Sequence, residues 1–172
     1  QSYAGDYFRP FNDFTCHKVK VTRNTPKFVK QLGLTLADQF ETAEFDALSP
    51  QALCPPASAA AGGIEDQLTH LESYKIRRAQ HQAAFPKQFG VTVVTRFQTL
   101  KIDVLQPERL LVPTGKRLGS PADPPPAGMD HYKCHRIRLA PGGPKFQRVT
   151  FDVSDQFLTR VYELRRVTRF CT

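Results

Sequence analysis

The strongest constraint on this chain is a phrase it uses three times. Phe14-Thr15-Cys16-His17-Lys18-Val19-Lys20 returns as Leu71-Glu72-Ser73-Tyr74-Lys75-Ile76-Arg77. It returns again within Asp130-His131-Tyr132-Lys133-Cys134-His135-Arg136-Ile137-Arg138. A second landmark follows each copy: Leu34-Thr35-Leu36-Ala37-Asp38-Gln39-Phe40, Val91-Thr92-Val93-Val94-Thr95-Arg96-Phe97 and Phe151-Asp152-Val153-Ser154-Asp155-Gln156-Phe157. Each copy closes on Leu53-Cys54, Leu110-Leu111 or Phe170-Cys171. Copies one and two share an offset of 57 at Cys16/Ser73, Phe40/Phe97 and Cys54/Leu111. Repeats of this length predict an array of small units or a closed pseudo-threefold fold.

The expected organisation is an aromatic arm at 1–13, β repeats at 14–56, 70–113 and 130–172, and linkers at 57–69 and 114–129. Val19 and Val21 alternate with Lys18 and Lys20, the period of a strand. Leu34, Leu36 and Phe40, with their equivalents, make a second strand, and Phe45/Ala47, Ile102/Val104 and Tyr162/Leu164 a third. Pro50 and Pro107 interrupt the pattern, which predicts an edge or a bend. Val167 stands at that place in the third copy, so its last strand is expected to run through. The prolines of 114–129 predict a semi-rigid spacer. One short helix is expected near 64–71, where Ile64, Gln67, Leu68 and Leu71 have helical spacing. The fold class is thus all-β: three tandem antiparallel units.

The cysteines divide the same way. Cys16 and Cys54 are lost together in the middle copy, as Ser73 and Leu111. Joint loss is what a bonded pair predicts, so Cys16 is assigned to Cys54 and Cys134 to Cys171. A zinc site would show close ligand pairs, and there are none. A unit this small buries little apolar surface, and a bridge across such a loop contributes roughly 4 kcal/mol in the chain-entropy model. Two bridges point to an oxidising compartment. With Gln1 in first place, the chain reads as a secreted protein whose signal has been removed. No apolar run is long enough for a helical membrane span.

A net charge of +8 favours acidic partners such as surface polymers. The basic residues recur in pairs on the opening strands: Lys18 and Lys20, Lys75 and Arg77, Arg136 and Arg138. They are a candidate binding face or a solubilising one. Tyr3, Tyr7, Phe8 and Phe11 make the arm a candidate assembly element, by strand addition to a neighbour. Among the histidines, His17 and His135 are equivalents on the face of the apolar strand residues and read as core histidines. No spacing supplies a metal site, a haem motif, a phosphate loop or a nucleophile elbow. Asp38 and Asp155 recur with Thr95 between them, which reads as structural. Neither cofactor nor catalytic residues are expected, and nucleic acid is disfavoured by the disulfides.

The openings on Asp-His-Tyr-Lys-Cys and Phe-Thr-Cys-His-Lys, the Asp-Gln-Phe segments and the closing Leu-Cys-Pro resemble a poorly characterised family of secreted bacterial repeat domains. The resemblance covers residues 13 to 172 and implies a compartment and an architecture, not a reaction. The middle copy departs from it at both cysteine positions. The expected function is that of an extracellular structural or interaction protein, a subunit of a filament or layer built from copies of itself through the arm. The rival is a secreted binding module, lectin-like or polyanion-binding, on the basic strand faces.

Overall fold

The computed structural model describes residues 13–59, 63–64, 66–95, 97–117, 122, 124 and 129–172. They form an antiparallel all-β structure of two sheets, one of them a half-barrel, with two disulfides. The strands are β1 (Asp13–Phe14), β2 (His17–Lys18), β3 (Gln31–Ala37), β4 (Thr42–Cys54), β5 (Pro56–Ala59), β6 (His70–Arg78), β7 (Gln88–Val94), β8 (Thr99–Thr114), β9 (Tyr132–Leu139), β10 (Val149–Asp155), β11 (Thr159–Leu164) and β12 (Arg169–Cys171). The larger sheet has the order β12-β9-β8-β6-β4-β2, with β3 added to β4 and β7 to β8. The smaller has the order β1-β5-β10-β11.

Side-chain period explains which strands are solvated. Leu34 and Leu36 of β3, and Val91 and Val93 of β7, are half-buried while their neighbours face solvent. The long strands β4 and β8 carry the core. Ala43, Phe45 and Ala47 pack with Ile76 and Leu110; Leu100, Ile102 and Val104 gather Phe40, Phe85, Ile137 and Leu139. Burying a side chain such as Phe45 or Ile102 stabilises by about 2–3 kcal/mol relative to exposure. Each cluster draws on strands from distant parts of the chain.

Three hairpins, β3–β4, β7–β8 and β10–β11, share one turn. In the first, Asp38 Oδ1 accepts the N–H groups of Phe40 and Glu41 at 2.9 and 3.0 Å. In the second, Thr95 Oγ1 accepts those of Phe97 and Gln98. In the third, Asp155 Oδ1 accepts those of Phe157 and Leu158. A short oxygen-bearing side chain satisfies the turn's donors, so recurrence of Asp, Thr and Asp has a structural cause.

Three sequence expectations change, and a fourth, the edge or bend at the prolines, resolves as a bend. No helix forms near 64–71 among the described residues. Asp66 Oδ1 instead takes the N–H groups of Leu68 and Thr69, and the strand starts at His70. An aspartate that captures nearby backbone donors competes with a helix. The stretch expected as a linker begins with β5, whose four residues are all buried. Pro50 and Pro107 lie inside the sheet, where the β4–β6 and β8–β9 ladders shift register beside them; the bulge accommodates a residue with no N–H to give. Finally, the last strand is broken between Leu164 and Arg169. β4 and β8 are held across their bulges by β6 and β9. Among the described residues, no strand does this for β11 and β12, and β10 turns to pair with β5.

Candidate functional site

Cys16–Cys54 and Cys134–Cys171 are bonded, with Cα–Cα distances of 4.0 and 3.9 Å. The absent third bridge leaves Ser73 opposite Leu111 on β6 and β8, with a buried hydroxyl that has no hydrogen-bond partner among the described residues. Tyr3, Tyr7, Phe8 and Phe11 lie outside the described residues. The six basic residues divide. Arg77 Nη2 lies 3.1 Å from Asp46 Oδ2, and Arg138 Nε lies 2.9 Å from Asp103 Oδ2. Lys18, Lys20, Lys75 and Arg136 make no ion pair among the described residues. They do not form one ladder, because β4 and β8 run between β2, β6 and β9.

The two arginine pairs are built alike. Asp46 faces Arg77 across β4–β6, and Asp103 faces Arg138 across β8–β9. Each aspartate also accepts a glycine N–H from its own hairpin: Gly33 at 3.2 Å and Gly90 at 3.0 Å. Arg77 and then the Gly33 N–H hold the Asp46 carboxyl below the usual range; for Asp103 the Gly90 N–H comes first and Arg138 second.

A groove of about 660 Å³ lies beside β6. Lys75, Arg77, Arg78, Lys87 and Arg109 line it, with Glu108 as its acid. Arg77 and Arg78 are engaged by Asp46 and Glu41, and Glu108 by Arg169. Lys75, Lys87 and Arg109 have no carboxylate partner among the described residues. Lys75 and Arg109 are direct cross-strand partners, and like charges so placed repel. Partial burial, and then the charge of Arg169, lower the proton affinity of Arg109.

A second charged group is sealed inside. Lys133 Nζ lies 3.2 Å from Asp38 Oδ2 and 3.8 Å from Glu41 Oε1. Arg78 holds Glu41 at 2.7 and 2.6 Å, and both cations lie over the Phe45 ring. His135, fully buried, has Nε2 3.2 Å from Asp38 Oδ2, with Phe40 and Phe85 against its ring. That approach is off the line of a hydrogen bond, and among the described residues neither ring nitrogen makes a well-aligned one, although the Phe170 backbone lies close enough to favour the cation. Burial pushes the His135 pKa down despite the attraction of Asp38. For Asp38, burial pushes up, but the turn N–H groups and Lys133 outweigh it and the net shift is down. This cluster locks the first hairpin turn to β9. The sequence marked Asp38 and His135 separately, and Lys133 only as a member of the repeated phrase; Glu41 and Arg78 carried no signal beyond their charge, since their partners come from distant strands. His17 is the counterpart of His135 and is more open, with Nε2 3.4 Å from Asp155 Oδ2.

Among the described residues, each sheet ends on two open strands, β12 and β2 in the larger and β1 and β11 in the smaller. Val21, Phe157, Val161 and Tyr162 are exposed beside β2 and β11. No protein-family model matches this chain, and neither a curated protein nor a solved structure matches it.

Proposed function

We propose that this chain is an extracellular structural protein, a subunit that builds a surface filament or layer from copies of itself. In this reading it consists of three tandem β units, each an opening strand, a hairpin and a closing segment, as in the secreted bacterial repeat domains it resembles. The observation that supports the reading is the open edge at β2 together with the open edge at β11. The opening strand β6 bridges the long strand before it, and β9 does the same for β8. The opening strand β2 lacks such a neighbour among the described residues, and so does the outer edge of β11. An exposed edge is a template for another chain, and a contact between two different edges propagates rather than closes. The aromatic arm at 1–13 precedes β2 in the sequence, and in this reading it is the assembly element. The two disulfides suit an oxidising exterior.

Negative-stain electron microscopy and sedimentation of the full disulfide-bonded chain test this. Concentration-dependent, regular assemblies are expected. A monomer at every concentration would remove the structural reading. The groove favours a second one, a polyanion-binding module, because Lys75 and Arg109 face each other with no acid between them. Salt-sensitive retention of a monomer on a sulfated oligosaccharide, lost in K75A and R109A, would move that reading forward.

A further inference from the structure

We infer that the joint between copies repeats the joints inside the chain, with Lys20 of one copy docked on Glu163 of the next. The inference rests on the assembly reading above and names its contact. Inside the chain, one register occurs twice. Asp46 faces Arg77 and Ala47 faces Ile76; Asp103 faces Arg138 and Val104 faces Ile137. The register shifts fall at the same places, between Ala47/Ser49 and Val104/Gln106 and again between Pro50/Ala52 and Pro107/Arg109. Both joints close with an aspartate–arginine contact, at 3.1 and 2.9 Å.

The same register has a third member on each side, and neither has a partner across a next strand among the described residues. Lys20 stands where Arg77 and Arg138 stand in the repeated phrase, and Val19 where Ile76 and Ile137 stand. Glu163 stands where Asp46 and Asp103 stand, and Leu164 where Ala47 and Val104 stand. The opening segment is already positioned: Val19 N–H donates to the Gln51 carbonyl at 3.1 Å, as Ile137 N–H does to Thr168 at 3.3 Å. Glu163 is on the edge strand, touched by Arg165 at 3.3 Å and Arg148 at 3.8 Å. All three of these side chains are exposed, so those pairs hold it weakly. Extending the register by one step brings Val21 against Tyr162, two side chains left exposed at 43% and 37%. An acid, a base and two apolar pairs thus fall into antiparallel register across the open edges of β2 and β11. Thr150 replaces the bulge glycine of the other hairpins, and the β10–β11 ladder runs without a shift. The longer Glu163 side chain therefore reaches Lys20 without the glycine N–H that anchors Asp46 and Asp103. The occupant is a second copy of this chain, joined head to tail.

The test is charge reversal in the full chain, read by sedimentation velocity, with melting curves as a control for folding. K20E alone and E163K alone should each weaken association by about tenfold or more, because each sets like charges opposite one another. The double variant K20E/E163K should return association to within about threefold of the original, and so should an equimolar mixture of the two single variants. The mixture works only if Lys20 and Glu163 meet between copies, because within one copy each single variant would keep its clash; assembly beyond a dimer then marks the joint as head to tail. If the original chain assembles and neither reversal changes it, the joint lies elsewhere and this inference falls while the assembly reading stands. If the original chain never assembles, both fall.

Discussion

At the scale of single residues, His135 is the most informative. It is fully buried between Phe40 and Phe85, and among the described residues neither ring nitrogen makes a well-aligned hydrogen bond. Asp38, Lys133 and Glu41 are the charges around it. Burial disfavours its cation more than Asp38 favours it, so its folded pKa lies below the ordinary 6.5. The unfolded chain then binds the extra proton first, and stability must fall as the pH drops below about 6.5. Above that value the contribution is complete. Asp38 adds a second loss at lower pH, since its folded pKa lies below the ordinary 3.8 and its contribution disappears as the carboxylate is protonated. Melting temperature between about pH 8 and pH 5 should therefore decline, and H135F should flatten that decline while keeping the acid limb. An unchanged slope in H135F would show that His135 is not the group responsible.

At the scale of elements, much was legible and the reasons are specific. The hairpin strands show in the alternation of Leu34 with Leu36 and Val91 with Val93, because one face of each is buried. The bridges show in the joint loss of two cysteines. The break after Leu164 was not legible, because a strand's continuity depends on a neighbour that holds it. The sealed ion cluster was not legible either, since Asp38, Arg78 and Lys133 meet only through three different strands. The bulge glycines sit between these cases. Gly33 and Gly90 both adopt φ +67°, and each gives its N–H to the aspartate that pairs with the next strand. A Cβ at either place would touch nothing within 4 Å. Only the left-handed backbone would resist it, at about 1 kcal/mol. G90A should therefore lower the denaturation free energy by about that amount in urea titration, with an unchanged slope. A loss several times larger would mean that the bulge itself collapses, taking the Asp103–Arg138 contact with it.

At the scale of the molecule, the strands are shared along the chain rather than grouped into separate beads. β6 belongs by sequence to the second copy, yet it lies between β4 of the first copy and β8 of its own. Both apolar clusters are shared in the same way. Ile76 and Leu110 pack under Ala43, Phe45 and Ala47, and Ile102 and Val104 pack with Phe40, Ile137 and Leu139. The middle stretch holds the most apolar strands and no bridge. Cut out as residues 70–117, it would expose one edge of β6, one edge of β8 and the open sides of both clusters. A three-stranded piece with half a core is too small to offset its chain entropy. The fragment should therefore be unfolded in solution, with a collapsed amide dispersion in its NMR spectrum. The whole chain should unfold in one transition, the same by circular dichroism and by tyrosine fluorescence. Dispersed, protected amides in the isolated fragment would reverse this. They would mean that each unit carries its own stability and that the shared strands decorate it, in which case reversing a charge at one joint would change association and leave folding alone. If the fragment is unfolded, pairing with a neighbour completes each unit, and a new neighbour at the open edges would extend the same cooperative ladder.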